Sequence, residues 1–307
     1  MEGTKVENQL MHSVVLELCP ENDSTIPTMM SHLTHALVLN LVRQFNSGLS
    51  ARLHDEPGYR PFTVSLLRGL AFSRGHVMLR RSRPCYLRIT LFDGDSLWQQ
   101  LCTHFLETGL VYVQLGDIVL RLIRILSTPD NDQTGWVSST EWRTLFTLPT
   151  RRSITLHFAS PTAFSWGDRH FVLFPEPFLL WEGLLHVWNR YAPACYKVER
   201  QGLRDCLLRN VRVTKCSLHT RTLQYPKYAQ KGFVGTCSYV IQGSNSFASL
   251  LTTLAAFAYY AGIGYKTTMG MGQVRVTFDD QVNDVVLLDG AQLGAGGNTC
   301  IKSALER

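Results

Sequence analysis

One order of elements can be read twice along this chain: strand, helix, strands, helix, strand. In the first pass His12 to Leu18 alternates as a strand, and Ser31 is the N-cap candidate for a helix from 32 to 45. Leu33, Leu37, Leu41 and Phe45 give that helix its apolar stripe. A short helix over 48–54 should end near His54, because Pro57-Gly58 stops it. Strands follow at Phe62–Leu70, Val77–Arg81 and Tyr86–Phe92, then a helix at Ser96–Leu110 and a strand at Gly116–Leu126.

The second pass starts with a strand at Ser153–Phe158 and a helix at Glu176–Tyr191. Strands at Val211–Leu223 and Gly232–Gln242 read as a pair. A helix at Ser244–Tyr260 and a closing strand at Gln273–Phe278 complete it. This is the order of a ferredoxin-like (RRM-like, βαββαβ) unit, so the expected fold is α+β with two such domains in tandem. The boundaries are 1–130, a connector over 131–150 that is rich in turn formers at its start, 151–280, and a tail over 281–307 without periodicity.

Composition narrows the function. The chain has 307 residues, a net charge of +6 and a sequence pI near 8.9. From Arg68 to Arg83 there are five arginines and no acid. From Lys197 to Lys231 nine Lys and Arg face only Glu199 and Asp205. Tyr196, Tyr225, Tyr228 and Phe233 are interleaved with that basic run, the pattern of a surface that tracks RNA. The eight cysteines include no Cys-x-x-Cys pair, which argues against zinc, and several read as buried reduced thiols. No signal sequence and no membrane-length apolar run is present, so a cytoplasmic protein without a membrane partner is expected.

Two motifs carry the chemistry. Between the last helix and the last strand lies Ala261-Gly-Ile-Gly-Tyr-Lys-Thr-Thr-Met-Gly-Met-Gly-Gln. Gly262, Gly264, Gly270 and Gly272 bracket Lys266, and such a loop can bring backbone N–H groups and a cation to a phosphate. The helix–loop–strand order rules out a nucleotide P-loop and a dinucleotide fingerprint, which need strand–loop–helix. Upstream lies Leu53-His-Asp-Glu-Pro-Gly-Tyr-Arg-Pro-Phe-Thr-Val-Ser65. His54, at a helix end before a turn, can project into a cleft. His35, in the first helix, is the reserve, whereas His157, His170 and His186 sit among apolar neighbours and read as core or interface. Asp55-Glu56 is the only close acidic pair near the proposed site, too little for a metal-dependent nuclease, so neither metal nor cofactor is expected.

Together with Phe158-Ala-Ser-Pro-Thr-Ala-Phe164, these motifs resemble the CRISPR-associated protein six family, RAMP-superfamily endoribonucleases that cut precursor CRISPR RNA within each repeat. The resemblance runs from about residue 12 to residue 278. It implies His54 as the catalytic histidine and Arg60 in place of a family lysine that stabilises the scissile phosphate. The position matching a family tyrosine is Leu39, which leaves Tyr59 as a substitute. It implies metal-independent cleavage by 2′-OH attack, leaving 2′,3′-cyclic phosphate and 5′-OH ends. The alternative on the same fold is a non-catalytic RNA-binding subunit of a CRISPR effector complex. Repeat RNA is the expected partner; other effector subunits and a second copy of the chain are compatible ones. The glycine loop with Lys266, and Arg212, Lys215, Arg221, Lys227 and Lys231, are the expected RNA-binding residues.

Overall fold

The structure, a computed structural model, describes residues 9–27, 31–55, 60–73, 76–92, 96–167, 170–225 and 227–278. Tyr59 and the tail 281–307 lie outside the described residues.

The first unit holds β1 (Leu10–Pro20), β2 (Ser24–Pro27), α1 (Ser31–Phe45), α2 (Ser47–Asp55), β3 (Phe62–Val64), β4 (Ala71–Ser73), β5 (His76–Leu79), β6 (Cys85–Leu91), α3 (Ser96–Thr108), β7 (Val111–Leu115) and β8 (Ile118–Leu126). Its main sheet runs β3-β6-β1-β8-β7, all antiparallel, the strand order of a ferredoxin-like sheet with one extra edge strand. A separate sheet, β2-β5-β4, stands beside it. Alternation along β1 explains the layering. Val14, Leu16 and Leu18 pack under Leu37 and Leu41 of α1 and Leu97 and Leu101 of α3. Met11 and Val15, on the opposite face, join the core of the second unit.

The stretch 131–150, expected as a connector, contains β9 (Ser138–Glu141) and α4 (Trp142–Phe146). β9 pairs with β1 from Leu10 to Ser13. The second unit then holds β10 (Ser153–Thr162), β11 (Phe164–Trp166), β12 (His170–Val172), α5 (Pro177–Tyr191), α6 (Leu203–Asn210), β13 (Val211–Gln224), β14 (Ala229–Ile241), α7 (Asn245–Ala261) and β15 (Val274–Phe278). Its sheet order, β13-β14-β10-β15, is again ferredoxin-like.

α7 joins the two units. Its sequence is apolar or small on every side, which suits a helix buried all round rather than an amphipathic one. Ser244 caps it by accepting a hydrogen bond from the Phe247 N–H. One side packs with its own sheet; Phe257 and its neighbours meet Phe92, Trp142 and Met11. The few polar groups on α7 are satisfied, as when Thr253 Oγ1 donates to the Leu145 carbonyl.

A charged group lies in the same seam. Arg88 on β6 is 2% exposed and has no carboxylate partner among its described contacts. Its Nε donates to Ser13 Oγ at 2.8 Å, one Nη to the Tyr259 carbonyl at 2.6 Å, and the other Nη to Gln273 Oε1. Its guanidinium also lies 4.5 Å from the Trp136 ring centre and 4.4 Å from that of Tyr259. Burial lowers its pKa to about 10, which still leaves it charged at neutral pH.

The strand expected over Phe62–Leu70 stops at Val64, with one further bridge at Arg68. The ladder changes at Ser65, where the Arg88 N–H donates to Ser65 Oγ at 2.9 Å; on the other edge of β3 the Val64 carbonyl accepts the Gly270 N–H at 3.0 Å.

Candidate active site

α1 and α2 are joined through Asn46. Its backbone N–H closes α1 on the Val42 carbonyl, and its side-chain oxygen accepts the Leu49 N–H at 2.9 Å, capping α2. Ser50 Oγ donates to the Leu39 carbonyl, which fixes the two helices together. Leu39 itself is buried in the first unit's core, so the place of the family tyrosine is occupied by packing.

His54 stands on the last turn of α2 with its side chain 72% exposed. Its Nδ1–H donates to Asp55 Oδ1 at 2.7 Å, which leaves Nε2 as the nitrogen able to exchange a proton with a ligand. Arg60 folds back over the same helix end. Its Nε donates to the Leu53 carbonyl and one Nη to the His54 carbonyl at 3.0 Å. A cation on the last carbonyls of a helix is favourable. The cap therefore fixes a guanidinium one turn from the histidine, with further N–H groups to spare.

His35 lies beneath them on α1. Its Nδ1–H donates to the Thr268 carbonyl at 3.0 Å, and its ring is near-parallel to Phe62 at 6.2 Å. Burial drives its pKa down to about 4, with the charges of Arg60 and His54 adding to the effect. His35 is thus neutral at pH 7. It holds the N-terminal helix against the glycine loop and does not reach solvent as His54 does.

The glycine loop is braced rather than open. The N–H groups of Gly262, Gly270 and Gly272 donate to the carbonyls of Ala258, Val64 and Pro161. The expectation of freed N–H groups is therefore corrected for Gly262, Gly270 and Gly272: protein carbonyls take these three, as the loop seals the seam between the units. Gly270 sits at φ +85°, and a Cβ there would stand 2.5 Å from Leu66 Cδ2. A Cβ on Gly264 would strike the Ala163 carbonyl. The close approaches these glycines permit are to protein. Lys266, in left-handed backbone at φ 57°, places Nζ 4.1 Å from the Tyr225 ring centre and 4.2 Å from that of Tyr228. Burial lowers its pKa.

The basic residues of the β13–β14 hairpin divide among surfaces. Pairing of Lys215 with Ser238 and Arg221 with Gly232 puts both cations on the sheet's open face, while Lys231, opposite Thr222, is on the other. Lys227 is exposed at the turn, and Arg212 folds onto the Leu208 carbonyl at the end of α6. The open face also carries Thr155, hydrogen-bonded to Ser238, and His157, hydrogen-bonded to Thr277. Of the reading of His157 as core or interface, the core half is thereby corrected: its position alternates away from Ile154, Leu156 and Phe158. His170 and His186 are exposed, so the core half of the same reading is corrected for them as well. Arg88 was missed by sequence reasoning, although an arginine inside the apolar strand Tyr-Leu-Arg-Ile-Thr-Leu was a visible signal.

Among the described residues, no three His, Cys, Asp or Glu side chains cluster in a way that could hold a metal ion. No described helix is long and apolar enough to cross a membrane.

Comparison with known proteins fits this arrangement. A Cas6 product complex shares the fold with a TM-score of 0.72 and 26% identity, covering 87% of this chain and 98% of that one. Thermus thermophilus Cas6 gives 0.64 and 25%, covering 88% and 99%. Among curated proteins, the CRISPR-associated endoribonuclease Cas6 of Mycobacterium tuberculosis is 26% identical over 134 residues, 44% of this chain and 42% of that protein. That of Streptococcus thermophilus is 26% identical over 119 residues, 39% of this chain and 48% of that protein. The matched segments thus span less than half the length of these curated relatives. The family model for the Cas6 N-terminal domain matches residues 10–147, and the model for CRISPR-associated endoribonuclease Cas6 matches residues 156–274. With both models in sequence order over two ferredoxin-like sheets, this chain belongs to the Cas6 family of CRISPR-associated endoribonucleases.

Proposed function

We propose that this chain is an endoribonuclease that binds precursor CRISPR RNA and cuts it within the repeat, without metal. The observation that carries the reading is the α2 end, where an exposed histidine and a capping arginine share one turn beside the seam between the units. The product and substrate-mimic complexes among solved Cas6 structures support an RNA ligand for this fold.

In this reading the N-terminal unit, within 1–130, supplies the chemistry and the C-terminal unit, within 151–280, supplies much of the grip. His54 Nε2 takes the proton of the 2′-OH upstream of the scissile phosphate, and that oxygen attacks phosphorus. The 5′ oxygen leaves and takes its proton from water, giving a 2′,3′-cyclic phosphate and a 5′-OH. Arg60 has N–H groups beyond those that cap α2, and these meet the charge that develops on the phosphorane. His35, neutral and turned to Thr268, positions the loop rather than transferring the proton. Lys215, Arg221 and Lys227 track the RNA backbone. Lys266 and its tyrosines form an adjoining surface at the hairpin turn.

The test is end-group analysis of a labelled repeat RNA incubated with the protein in EDTA. Cleavage should persist, leaving cyclic phosphate ends. A single 2′-deoxy substitution upstream of the cut should stop it without loss of binding. Cleavage of the deoxy substrate, or an absolute need for added Mg²⁺, would overturn the mechanism. Tight binding with no cleavage of any repeat would make the chain the non-catalytic RNA-binding subunit instead.

A further inference from the structure

Cys216 and Cys237 are direct partners across β13 and β14. Their pair type follows from the ladder. At the hairpin turn the Tyr225 N–H donates to the Tyr228 carbonyl, so that rung is a hydrogen-bonded pair. The register continues without a break from Gln224–Ala229 down to Lys215–Ser238. Cys216–Cys237 lies an odd number of rungs below the turn, which makes it a non-hydrogen-bonded pair. In such pairs the Cα atoms are about 4.5 Å apart and the side chains lean together, within the roughly 4.4–6.8 Å range that disulfides span.

We propose that Cys216 and Cys237 form a thiol pair that a peroxide-class oxidant closes into a cross-strand disulfide at the base of the hairpin. The division of labour is set by exposure. Cys216 is exposed and Cys237 is fully buried, so the oxidant meets Cys216 first. The Cys216 sulfur attacks one peroxide oxygen, the O–O bond breaks, and sulfenic acid forms with release of water. The Cys237 sulfur then attacks the sulfenic sulfur; the S–S bond forms, the S–O bond breaks, and the thiol proton leaves with the hydroxyl as a second water. Two thiols lose two electrons and one peroxide gains them. Burial holds the Cys237 thiol well above the ordinary thiol range, which fits a resolving partner better than a first attacker.

The position gives the bond a consequence. It lies one residue from the bulge between Val213 and Lys215, and tipward of it Gly235, at φ +123°, bends the partner strand. A disulfide there fixes the base of the hairpin that carries Lys215, Arg221, Lys227 and Lys231. A dithiol such as dithiothreitol should reopen it by attack at the Cys216 sulfur, the exposed end of the bond.

The experiment treats the full chain, folded, with hydrogen peroxide, blocks remaining thiols, and maps tryptic peptides without reduction. The expected product is the peptide Cys216–Arg221 joined to the peptide Gly232–Lys266. It should form at least about tenfold faster in the folded protein than in urea, because folding supplies the proximity. Cys216→Ser, a change at an exposed position, should abolish it while the protein melts as wild type does. Recovery of both peptides as separately blocked or over-oxidised thiols, linkage of Cys237 to another cysteine, or equal rates in urea would overturn the proposal.

Discussion

The α2 end and the Arg88 seam are both cationic sites at the inner side of the N-terminal unit, and they are built in opposite ways. Arg88 is dry, and each of its nitrogens donates to a neutral oxygen in the seam. His54 is wet, its ring hydrogen-bonds to Asp55, and it sits on a short helix that Arg60 holds by its last carbonyls. A buried charge without a counter-ion is tolerable only when neutral acceptors replace its water, and that requirement fixes two units in one orientation. A proton-transfer group needs the reverse, since it must meet a ligand and change its protonation. His35 stands between the two designs. It is a histidine of the site by position and a structural residue by environment.

The largest expected effect falls on the wet site. His54→Ala should lower single-turnover cleavage by about 10²–10⁴, the usual worth of general acid–base catalysis, with repeat RNA affinity nearly unchanged. A variant that cleaves at the wild-type rate would move the proton transfer elsewhere, with His35 the next residue to test.

Arg88 should show the complementary pattern, a loss of stability rather than chemistry. Arg88→Ala leaves buried oxygens of Gln273 and Tyr259 without a donor and opens a cavity in the seam, at a cost on the order of 3–5 kcal/mol. Arg88→Met fills the space and removes the buried charge, so it should cost less than the alanine change. Denaturant melts of both variants decide the point. If Met proves as costly as Ala, the hydrogen bonds and not the packed volume carry the seam.

Much of this contrast was legible in the sequence, but only one partner at a time. The doubled element order predicted two ferredoxin-like sheets because alternation and helical stripes are local signals. His54 and Arg60 were visible because a helix stop and a motif lie within seven residues. The glycine loop was visible too, but its bracing was not: its partners Val64, Pro161 and His35 lie from about one hundred to more than two hundred positions away. β7 was overlooked because Val111–Leu115 falls unassigned between the helix expected over Ser96–Leu110 and the strand expected over Gly116–Leu126, although Gly109 at φ +69° stops the helix and the five residues alternate buried and exposed. Leu39 could be matched to a family tyrosine by counting, but only the packing of α1 shows it to be core.

His35 offers a pH test of the intermediate design. Its folded pKa, about 4, lies below the ordinary histidine value of 6.5. The unfolded chain therefore binds a proton that the folded chain refuses as pH falls from about 6.5 toward 4, and stability drains over that window. Above pH 6.5 its contribution is fully present. His35→Gln keeps a donor for the Thr268 carbonyl and should flatten this acid limb of a stability–pH curve. An unchanged limb would assign the acid sensitivity to other groups.

The smallest effect separates grip from chemistry altogether. Lys227 lies at the hairpin turn and Lys231 on the strand leaving it, both exposed and far along the chain from His54. If they contact phosphates, each releases counterions on binding, and the double change Lys227→Ala/Lys231→Ala should flatten the log–log dependence of affinity on salt by roughly 0.7–0.9 per lost contact. The cut should stay at the same phosphate, because α2 and the seam that fix His54 are untouched. Binding measured at low and high salt with an unaltered slope would leave Lys215 and Arg221, on the open sheet face, as the cations that hold the RNA. A shifted cleavage position would show instead that the hairpin also sets the register of the repeat at His54.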